Sequence, residues 1–273
     1  MKRPYFSVII PSLNEEKFLP HLLESLAIQT KRNFEVIVVD GKSKDKTIIF
    51  AKQFAKRLPS LLVITSAKAS LPLQRNLGAA KAKGEWLIFV DADSVLMPYF
   101  IERVEAYIQL AKPTVFTTWV QPDSALTSDA LFALLSNVYI ELTIQLKRPL
   151  TPGPLTAIQT RLFRNVGGYD ETHAYNEDAE FGLRLARNGM TLSIIPEALY
   201  IWSMRRIRRE GKLKVMQQYV ISALPILFLR RPMKYMPGYI MGGQLYGKKK
   251  KINHSVLKVY ERKLKQLLKE LFA

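Results

Sequence analysis

Cysteine is absent from this sequence of 273 residues, and its three histidines lie far apart. The first absence excludes a disulfide framework, a thiolate zinc site and a cysteine nucleophile. The histidines share no spacing typical of metal ligands. Long apolar runs are also missing, because the longest, at residues 220–229, is interrupted by Pro225. A bilayer-crossing helix needs roughly 18 to 20 apolar residues, so we predict none.

Acidic residues are scarce in one part of the chain. Residues 1–200 contain 23 basic and 20 acidic side chains, whereas residues 201–273 contain 18 basic and 3 acidic side chains. Together these counts give the formal net charge of +18. The first part has the charge balance of an ordinary globular surface, and the second is expected to meet an anionic partner. We therefore predict a globular domain at residues 1–210 and a basic C-terminal extension at residues 211–273.

Apolar runs alternate with amphipathic segments through the first half of the chain. Four β-branched and aromatic runs are predicted strands, at residues 6–10, 34–39, 61–64 and 86–90. Helices are predicted at about residues 15–29, 45–57, 73–82, 128–146 and 177–188, and one more strand near residues 192–195. The strands are too uniformly apolar for a sheet with one solvated face. This order indicates an α/β fold with parallel strands and right-handed crossovers.

Two aspartates, Asp91 and Asp93, follow the fourth predicted strand with only Ala92 between them. Side chains two residues apart on an extended backbone point the same way, so both carboxylates can approach one hard divalent cation. The alternative is a turn or a helix N-cap, which aspartate also favours. Open α/β sheets bind ligands at the carboxyl ends of their strands, and this position favours the first interpretation.

Three further carboxylates occupy positions with two interpretations each. Asp40 ends the second predicted strand and is able to accept hydrogen bonds from a base or a ribose, although a loop role is the alternative. Glu177 and Asp178 open a predicted helix, where the macrodipole favours acids for structural reasons alone. A carboxylate there can also act as a general base if its surroundings raise its pKa toward the working pH.

Six blocks of sequence, in order over about the first 210 residues, resemble those of family 2 glycosyltransferases. They are residues 7–16 (SVIIPSLNEE), 38–47 (VVDGKSKDKT), 75–78 (RNLG), 89–93 (FVDAD), 167–171 (GGYDE) and 177–181 (EDAEF). Six ordered blocks are far more specific than any one of them. The resemblance implies the GT-A fold, a Rossmann-like, mostly parallel mixed sheet flanked by helices. It also implies an inverting transferase that uses a nucleotide-sugar donor and Mg2+ or Mn2+.

The resemblance also assigns roles to individual positions. Those that match the family's nucleotide site are Pro11, Ser12, Asn14, Glu15, Asp40, Arg75, Asp91 and Ala92. Among them, Asp40 matches the residue that recognises the base, and Arg75 a basic residue near the base or the diphosphate. Asp91 and Asp93 match the metal-binding pair, with Asp93 the stronger candidate for a direct ligand.

The acceptor side of the reaction is assigned in the same way. Asp178, with Glu177 before it, matches the general base that deprotonates the acceptor hydroxyl. The metal would stabilise the departing diphosphate while this carboxylate activates the nucleophile on the opposite side. Arg205 and Arg206 loosely match an arginine-containing segment over the diphosphate or the acceptor, a role that suits a bidentate guanidinium. A solvated basic surface is the alternative for these two arginines.

One departure from the family's pattern affects the choice of donor. The family commonly has two consecutive aspartates after the second strand, whereas this sequence has Asp40 followed by Gly41 and Lys42. A UDP-sugar is favoured, but GDP-sugars stay open if the missing aspartate is the one that reads uracil. A third protein ligand for the metal, histidine in some relatives, is also not evident.

The basic extension suggests where the acceptor is presented. Residues 219–247 mix aromatic, methionine and leucine side chains with arginines, and residues 248–251 are four lysines. Leucines at residues 257–271 follow at spacings of three and four, with lysines opposite, as in a helix lying on an anionic membrane. Packing of this helix on the globular domain is the alternative. The membrane interpretation predicts a peripheral protein on the cytoplasmic face and a lipid-linked acceptor, with a soluble glycan as the second choice.

Three other classes of protein fit this sequence less well. A nucleic-acid-binding protein would suit the charge of +18, but the positive charge avoids the α/β domain and no readout motif is present. A nucleotidyltransferase usually carries a glycine-rich, lysine-containing phosphate loop after its first strand, which residues 11–16 lack. A non-catalytic interaction protein on this fold is disfavoured by the set of retained carboxylates.

Overall fold

The computed structural model describes residues 3–229, 231–236, 239 and 243–244. The strands in this part are β1 (Phe6–Ser12), β2 (Phe34–Asp40), β3 (Leu61–Thr65), β4 (Trp86–Val90), β5 (Val95–Leu96), β6 (Val115–Pro122), β7 (Leu155–Gln159) and β8 (Leu192–Trp202). The helices are α1 (Leu19–Ala27), α2 (Thr47–Gln53), α3 (Leu71–Lys81), α4 (Phe100–Ala111), α5 (Thr127–Gln145), α6 (Thr160–Asn165), α7 (Glu177–Arg187), α8 (Arg205–Glu210) and α9 (Lys212–Leu229).

All eight of these strands form one sheet in the order β3-β2-β1-β4-β7-β6-β8-β5. The first four in this order are parallel to one another, whereas β7 is antiparallel to both β4 and β6. Strand β6 then runs parallel to β8. The structure therefore confirms the α/β class with a mixed sheet flanked by helices, and the antiparallel β7 ends its parallel half.

Apolar side chains cover both faces of the sheet. Val8 and Ile10 of β1 belong to the larger core cluster, which includes α1 and α4 residues. Ile9 points to the other face and packs in a second cluster with residues of α3 and α7. All seven residues of β1 are buried because helices lie on each side, which accounts for its lack of apolar–polar alternation.

Several predicted boundaries are wrong, for reasons visible in the backbone. The first helix begins at Leu19 rather than near residue 15 because Pro20 fits only the first turn of a helix. The strand predicted near residues 192–195 extends to Trp202 as β8. Pro196 does not end it, because the β6–β8 ladder is irregular there and skips residues 196–197. Strands β6 and β7 were not predicted, because neither has a clear period and β7 is only five residues long.

The start of the predicted extension packs on the rest of the molecule. Val215 of α9 lies in a small cluster with Ala133 of α5 and Ile207 of α8, and Ile226 packs with Ala179 and Leu183 of α7. None of the helices in the described ranges is long and apolar enough to cross a membrane. The lysines at residues 248–251 and the amphipathic pattern at residues 257–271 lie outside the described residues.

Candidate active site

The aspartate pair lies at the carboxyl end of β4, as predicted. The Asp91 amide donates to the Pro154 carbonyl at 3.1 Å, and the Ser94 amide donates to the Asp91 carbonyl at 3.0 Å. The second bond closes a turn that directs both acidic side chains to the edge of the sheet. The side chains of Asp91 and Asp93 are 30% and 17% exposed, so that a ligand can reach both.

A buried arginine joins the aspartate pair to the start of α7. Arg75 is 1% exposed and donates to Asp91 Oδ1 at 3.2 Å, to Glu177 Oε1 at 3.0 Å and to the Gly153 carbonyl at 2.8 Å. Its guanidinium also lies over the Tyr169 ring, 5.0 Å from the centroid. The resemblance places Arg75 near the base or the diphosphate, and in the structure its buried guanidinium bonds two carboxylates of the candidate site.

Asp178 lies beside this arginine network at the first turn of α7. Asn176, the residue before the helix, has a left-handed φ of 54°, and Asp178 Oδ1 accepts a bond from the Ala179 amide at 2.7 Å. The other oxygen, Oδ2, lies close to Gly153: a Cβ atom added at this glycine would be 3.1 Å from Oδ2. Burial and then the charge of Glu177 raise the pKa of Asp178 to about 7. A carboxyl group with this pKa is suited to accept a proton near neutral pH.

A second arginine spans the two sides of the aspartate pair. Arg205 donates to both carboxylate oxygens of Glu15, at 2.8 and 2.5 Å, and its Nε lies 2.7 Å from Asp93 Oδ2. Its guanidinium stacks over the Phe18 ring, 4.3 Å from the centroid. Burial raises the pKa of Glu15 to about 7, although the hydrogen bond and charge of Arg205 act in the opposite direction. Arg205 therefore lies at the aspartate pair and bonds protein carboxylates there, while its role at the diphosphate or the acceptor stays a prediction.

The two loops predicted to line the nucleotide are bound to each other. The Ser43 hydroxyl accepts a bond from the Asn14 amide at 2.8 Å and donates to Asp40 Oδ1 at 2.5 Å. Asn14 has a left-handed φ of 53°, and its Oδ1 accepts a bond from the Lys44 amide. These bonds hold the chain after β1 against the chain after β2. Asp40 is fully buried, so its carboxylate bonds the loop in this conformation.

The other predicted nucleotide residues form the floor of the same edge. Pro11, Ser12, Glu15 and Ala92 are buried, and Asn14 is partly exposed. The hydroxyls of Ser12 and Ser94 are buried without a hydrogen-bond partner among the described residues. Unpartnered hydroxyls at the carboxyl edge fit a place where a polar ligand completes the bonding.

Several aromatic side chains lie within range of the Asp178 charge. Arg206 stacks over the Tyr239 ring at 4.6 Å and donates to Glu210 at 2.9 Å, and Tyr239 meets Tyr175 edge to face at 4.7 Å. Burial raises the hydroxyl pKa of four tyrosines, to each of which the Asp178 carboxylate contributes: Tyr139, Tyr175, Tyr219 and Tyr239. No sequence spacing links these tyrosines, because they come from four separate segments.

The aspartate pair fits a divalent cation whose other ligands come partly from a substrate. Within the described residues, no group of three or more acidic or histidine side chains could hold a metal ion. Mg2+ usually takes one or two carboxylates and completes its shell with substrate phosphates and water. Asp91 and Asp93 supply two hard oxygen donors of this kind at an exposed edge. A third protein ligand is therefore not required for the chemistry.

Comparisons with known proteins place this geometry in context. A model described as "Glycosyl transferase family 2" matches residues 7–167. An uncharacterized glycosyltransferase of Haemophilus influenzae is 30% identical over 184 residues, which cover 66% of this chain and 61% of that protein. The poly(ribitol-phosphate) beta-N-acetylglucosaminyltransferase TarS of Staphylococcus aureus is 28% identical over 214 residues, 74% of this chain and 36% of TarS. The match thus spans less than two thirds of either relative's length.

Solved structures show the same fold. TarS 1-349 in complex with UDP-GlcNAc superimposes with a TM-score of 0.60 at 24% identity, covering 72% of this chain and 58% of that one. The mannosyltransferase PcManGT from Pyrobaculum calidifontis, in complex with GDP-Man and Mn2+, gives a TM-score of 0.61 at 20% identity, covering 74% and 57%. These likenesses confirm the predicted GT-A architecture of the sheet and its helices.

Proposed function

This chain belongs to glycosyl transferase family 2, and on that premise we propose that it transfers a sugar from a nucleotide-sugar donor to an acceptor hydroxyl. The observation that carries this proposal is the buried bridge of Arg75 between Asp91 and Glu177. The bridge sets a pair of metal-type carboxylates on one side and a proton acceptor, Asp178, on the other. An inverting displacement needs these two functions on opposite sides of the anomeric carbon.

On the donor side, Asp91 and Asp93 would hold Mg2+ or Mn2+, which when bound offsets the charge of the diphosphate leaving group. The loop residues Pro11, Ser12, Asn14 and Glu15, with Asp40 and Ala92, form the nucleotide side of the site. Arg205 bonds Asp93 and Glu15. If another cation were paired with those two carboxylates, the guanidinium would be available to bind the diphosphate.

On the acceptor side, Asp178 takes the proton of the attacking hydroxyl. The acceptor oxygen then forms a bond to the anomeric carbon while the bond from that carbon to the phosphate oxygen breaks. The nucleoside diphosphate leaves, and the configuration inverts. Glu177 acts through its bond to Arg75 as a positioning residue.

The donor is assigned by class. We favour a UDP-sugar and keep a GDP-sugar as the alternative, because Gly41 and Lys42 follow Asp40 where a second aspartate is common in the family. TarS has been solved with UDP-GlcNAc and PcManGT with GDP-Man, so this fold accommodates both bases.

The acceptor is assigned by the chemistry around Asp178. Tyrosine rings provide flat apolar surfaces for a sugar ring, and Arg206 adds a cation for a neighbouring phosphate. A lipid-linked sugar or polyprenyl phosphate at the cytoplasmic face of a membrane satisfies both features. A glycan without a lipid is the second candidate, because the rings alone suffice for it.

Calorimetric titration with UDP and GDP, each with and without Mn2+, tests the donor site. We expect one nucleotide to bind in a metal-dependent way, and Asp93→Ala to weaken that binding at least tenfold because it removes a hard oxygen ligand. Asp123→Ala is the matched control, since Asp123 pairs with Arg208. If neither nucleotide binds with metal, the proposed function is wrong.

The pH dependence of the transfer rate tests the assigned base. Glu177, Arg75 and Asp91 are the charged groups that act on Asp178, and burial and Glu177 raise its pKa to about 7. Protonated Asp178 cannot accept the acceptor's proton, so we expect kcat to fall about tenfold per pH unit below about pH 7. A rate that stays constant between pH 5 and pH 7 would exclude Asp178 as the base.

Unfolding experiments should show the opposite pH trend at the same group. Because the folded-state pKa of Asp178 lies above its ordinary value, the folded chain retains the proton that the unfolded chain releases. Its contribution to stability is complete at low pH and is lost as the pH rises through about 7. We expect Asp178→Asn to flatten this part of the stability profile measured by urea denaturation.

A further inference from the structure

Helix α9 presents apolar side chains to solvent along most of its length. Its exposed large apolar residues include Leu213, Met216, Val220, Ile221, Leu224, Phe228 and Leu229, of which Phe228 is 75% exposed. Most of them follow at spacings of three and four, so they form one stripe on the outer side of the helix. The opposite side carries Val215 and Ile226, which are buried against the protein. Helix α9 contains no acidic residue.

Helix α5 has a stripe of the same kind. Its exposed members are Leu131, Leu134, Leu135, Val138 and Leu142, each about half exposed. Their spacing again places them on one side of the helix, while Ala133 and Asn137 are buried on the other. A monomeric protein seldom exposes so many neighbouring leucines without a binding role.

Two contacts from the first half of α9 join it to the start of α5. Lys212 at the start of α9 forms a 3.0 Å salt bridge with Asp129 at the start of α5. Further along α9, the rings of Tyr219 and Phe132 lie 6.2 Å apart. Toward its end, α9 contributes Ile226 to a cluster with two α7 residues, and Leu150 packs against this cluster. The two helices are thus in contact near the start of α5, and we call their two exposed stripes together the α5–α9 face.

Cations lie at both ends of the α5–α9 face. Arg208, Lys212 and Lys214 are about half exposed where α8 leads into α9, and each of them also pairs with a carboxylate of the protein. Lys147 after α5 and Arg231 after α9 are exposed at the far end. An apolar strip with cations at its ends matches an anionic bilayer, in which the acyl chains would meet the strip and the lipid phosphates would meet the cations.

The face is joined to the proposed acceptor side of the site. The inner side of α9 packs on Ala179, which directly follows Asp178, and on Leu183 one turn later. The ring of Tyr219 contacts that of Phe132, and the charges of Arg206 and Asp178 act on the pKa of the Tyr219 hydroxyl. Helix α9 therefore separates a surface that rests on the α5–α9 face from α7, the helix that carries Asp178.

We propose that the α5–α9 face docks this protein on an anionic lipid bilayer, so that an acceptor held in the membrane reaches Asp178 from the side of α9. The docking itself follows from the exposed stripes and their cations. The statement about the acceptor rests on the proposed function.

Sedimentation with lipid vesicles tests the docking on the full-length chain. Vesicles of phosphatidylcholine alone are compared with an equal mixture of phosphatidylcholine and phosphatidylglycerol, at low and high salt. We expect binding to the anionic vesicles that weakens with salt, and roughly tenfold or more weaker binding for Leu134→Glu and for Leu224→Glu. Leu110→Glu is the matched control, because Leu110 is 87% exposed on α4, whose buried residues belong to the core cluster on the other side of the sheet.

Fluorescent labelling identifies what covers the face. Because the chain has no cysteine, Leu134→Cys, Leu224→Cys and the control Leu110→Cys each provide one labelling position. An environment-sensitive dye at residues 134 and 224 should shift to shorter wavelength on adding anionic vesicles, and the dye at residue 110 should not. A shift already complete without lipid means that another part of this chain covers the face, and overturns the proposal. A shift that follows protein concentration and molar mass means a second copy, and also overturns it.

Nucleotide binding keeps this test separate from that of the proposed function. The glutamate variants should bind the nucleotide with Mn2+ as the unmodified protein does, because neither leucine lies among the site residues. Normal nucleotide binding with unchanged vesicle binding in both variants would reject the docking alone. Vesicle binding that depends on both leucines, in a protein that binds no nucleotide, would instead reject the proposed donor site and leave the docking intact.

Discussion

Replacing Asp178 with asparagine is expected to lower the transfer rate by about 10²- to 10⁴-fold while nucleotide binding is retained. The substitution keeps the size and the bond to the Ala179 amide through its oxygen, but an amide cannot take the acceptor's proton. The measurement is the steady-state rate with a fixed acceptor, beside calorimetric binding of the nucleotide with Mn2+.

Glu180→Gln is the matched control for this substitution. Glu180 lies on the same helix and pairs with Arg184 at 2.8 Å, so its loss removes an acidic side chain of α7 without touching the site. We expect a rate within about twofold of the unmodified protein, since such helical pairs contribute little. A rate for Asp178→Asn within tenfold of the unmodified protein would mean that another group deprotonates the acceptor.

Replacing Arg75 with methionine is expected to lower the free energy of unfolding by about 3 to 5 kcal/mol, because breaking a buried pair leaves uncompensated charge. Arg75 bonds Asp91, Glu177 and the Gly153 carbonyl from a fully buried position, and methionine supplies none of these donors. Urea denaturation measures the loss. The transfer rate should fall as well, since the two carboxylates no longer hold their positions.

Two further variants separate the charge of Arg75 from its geometry. Arg57→Met removes an exposed pair with Glu24 and is expected to leave the urea midpoint almost unchanged. Combining Arg75→Met with Glu177→Gln removes one of the unpaired charges, so the double variant should be more stable than Arg75→Met alone. If Arg75→Met is as stable as the unmodified protein, the bridge does not hold the site together.

An excess of negative charge explains why the site suits a cation. Five carboxylates meet here around Arg75 and Arg205, and the pKa values of Glu15, Asp91 and Asp178 are all raised to about 7, in each case chiefly by burial. For Asp91, the charge of Arg75 opposes the rise, and the neighbouring Asp93 and Glu177 add to it. A divalent ion at Asp91 and Asp93 would offset this repulsion.

The residue types of the candidate site, and their positions along the chain, could be predicted from the sequence. Apolar runs without alternation predict buried parallel strands, and acids directly after such runs predict polar groups at one sheet edge. Asp91 and Asp93 lie at that edge as expected, and Asp178 lies in the first turn of its helix. The six sequence blocks predicted the family to which the chain belongs.

Pairings between distant residues were not predictable in the same way. Arg75 and Glu177 are 102 residues apart, and Arg205 and Glu15 are 190 apart. No local period or spacing relates them, because the strand order and the antiparallel β7 bring their elements together. The tyrosines around Asp178 come from separate helices and segments for the same reason.

The sequence by itself determined the α/β class, the family and the residue types at the sheet edge, because these follow from local patterns of two to ten residues. Only the tertiary structure decided that Arg75 bonds two carboxylates of the candidate site, that Asp40 bonds its own loop, and that α9 contacts the start of α5. Burial and long-range pairing depend on how elements pack, and packing is set by many weak contacts that no single segment contains.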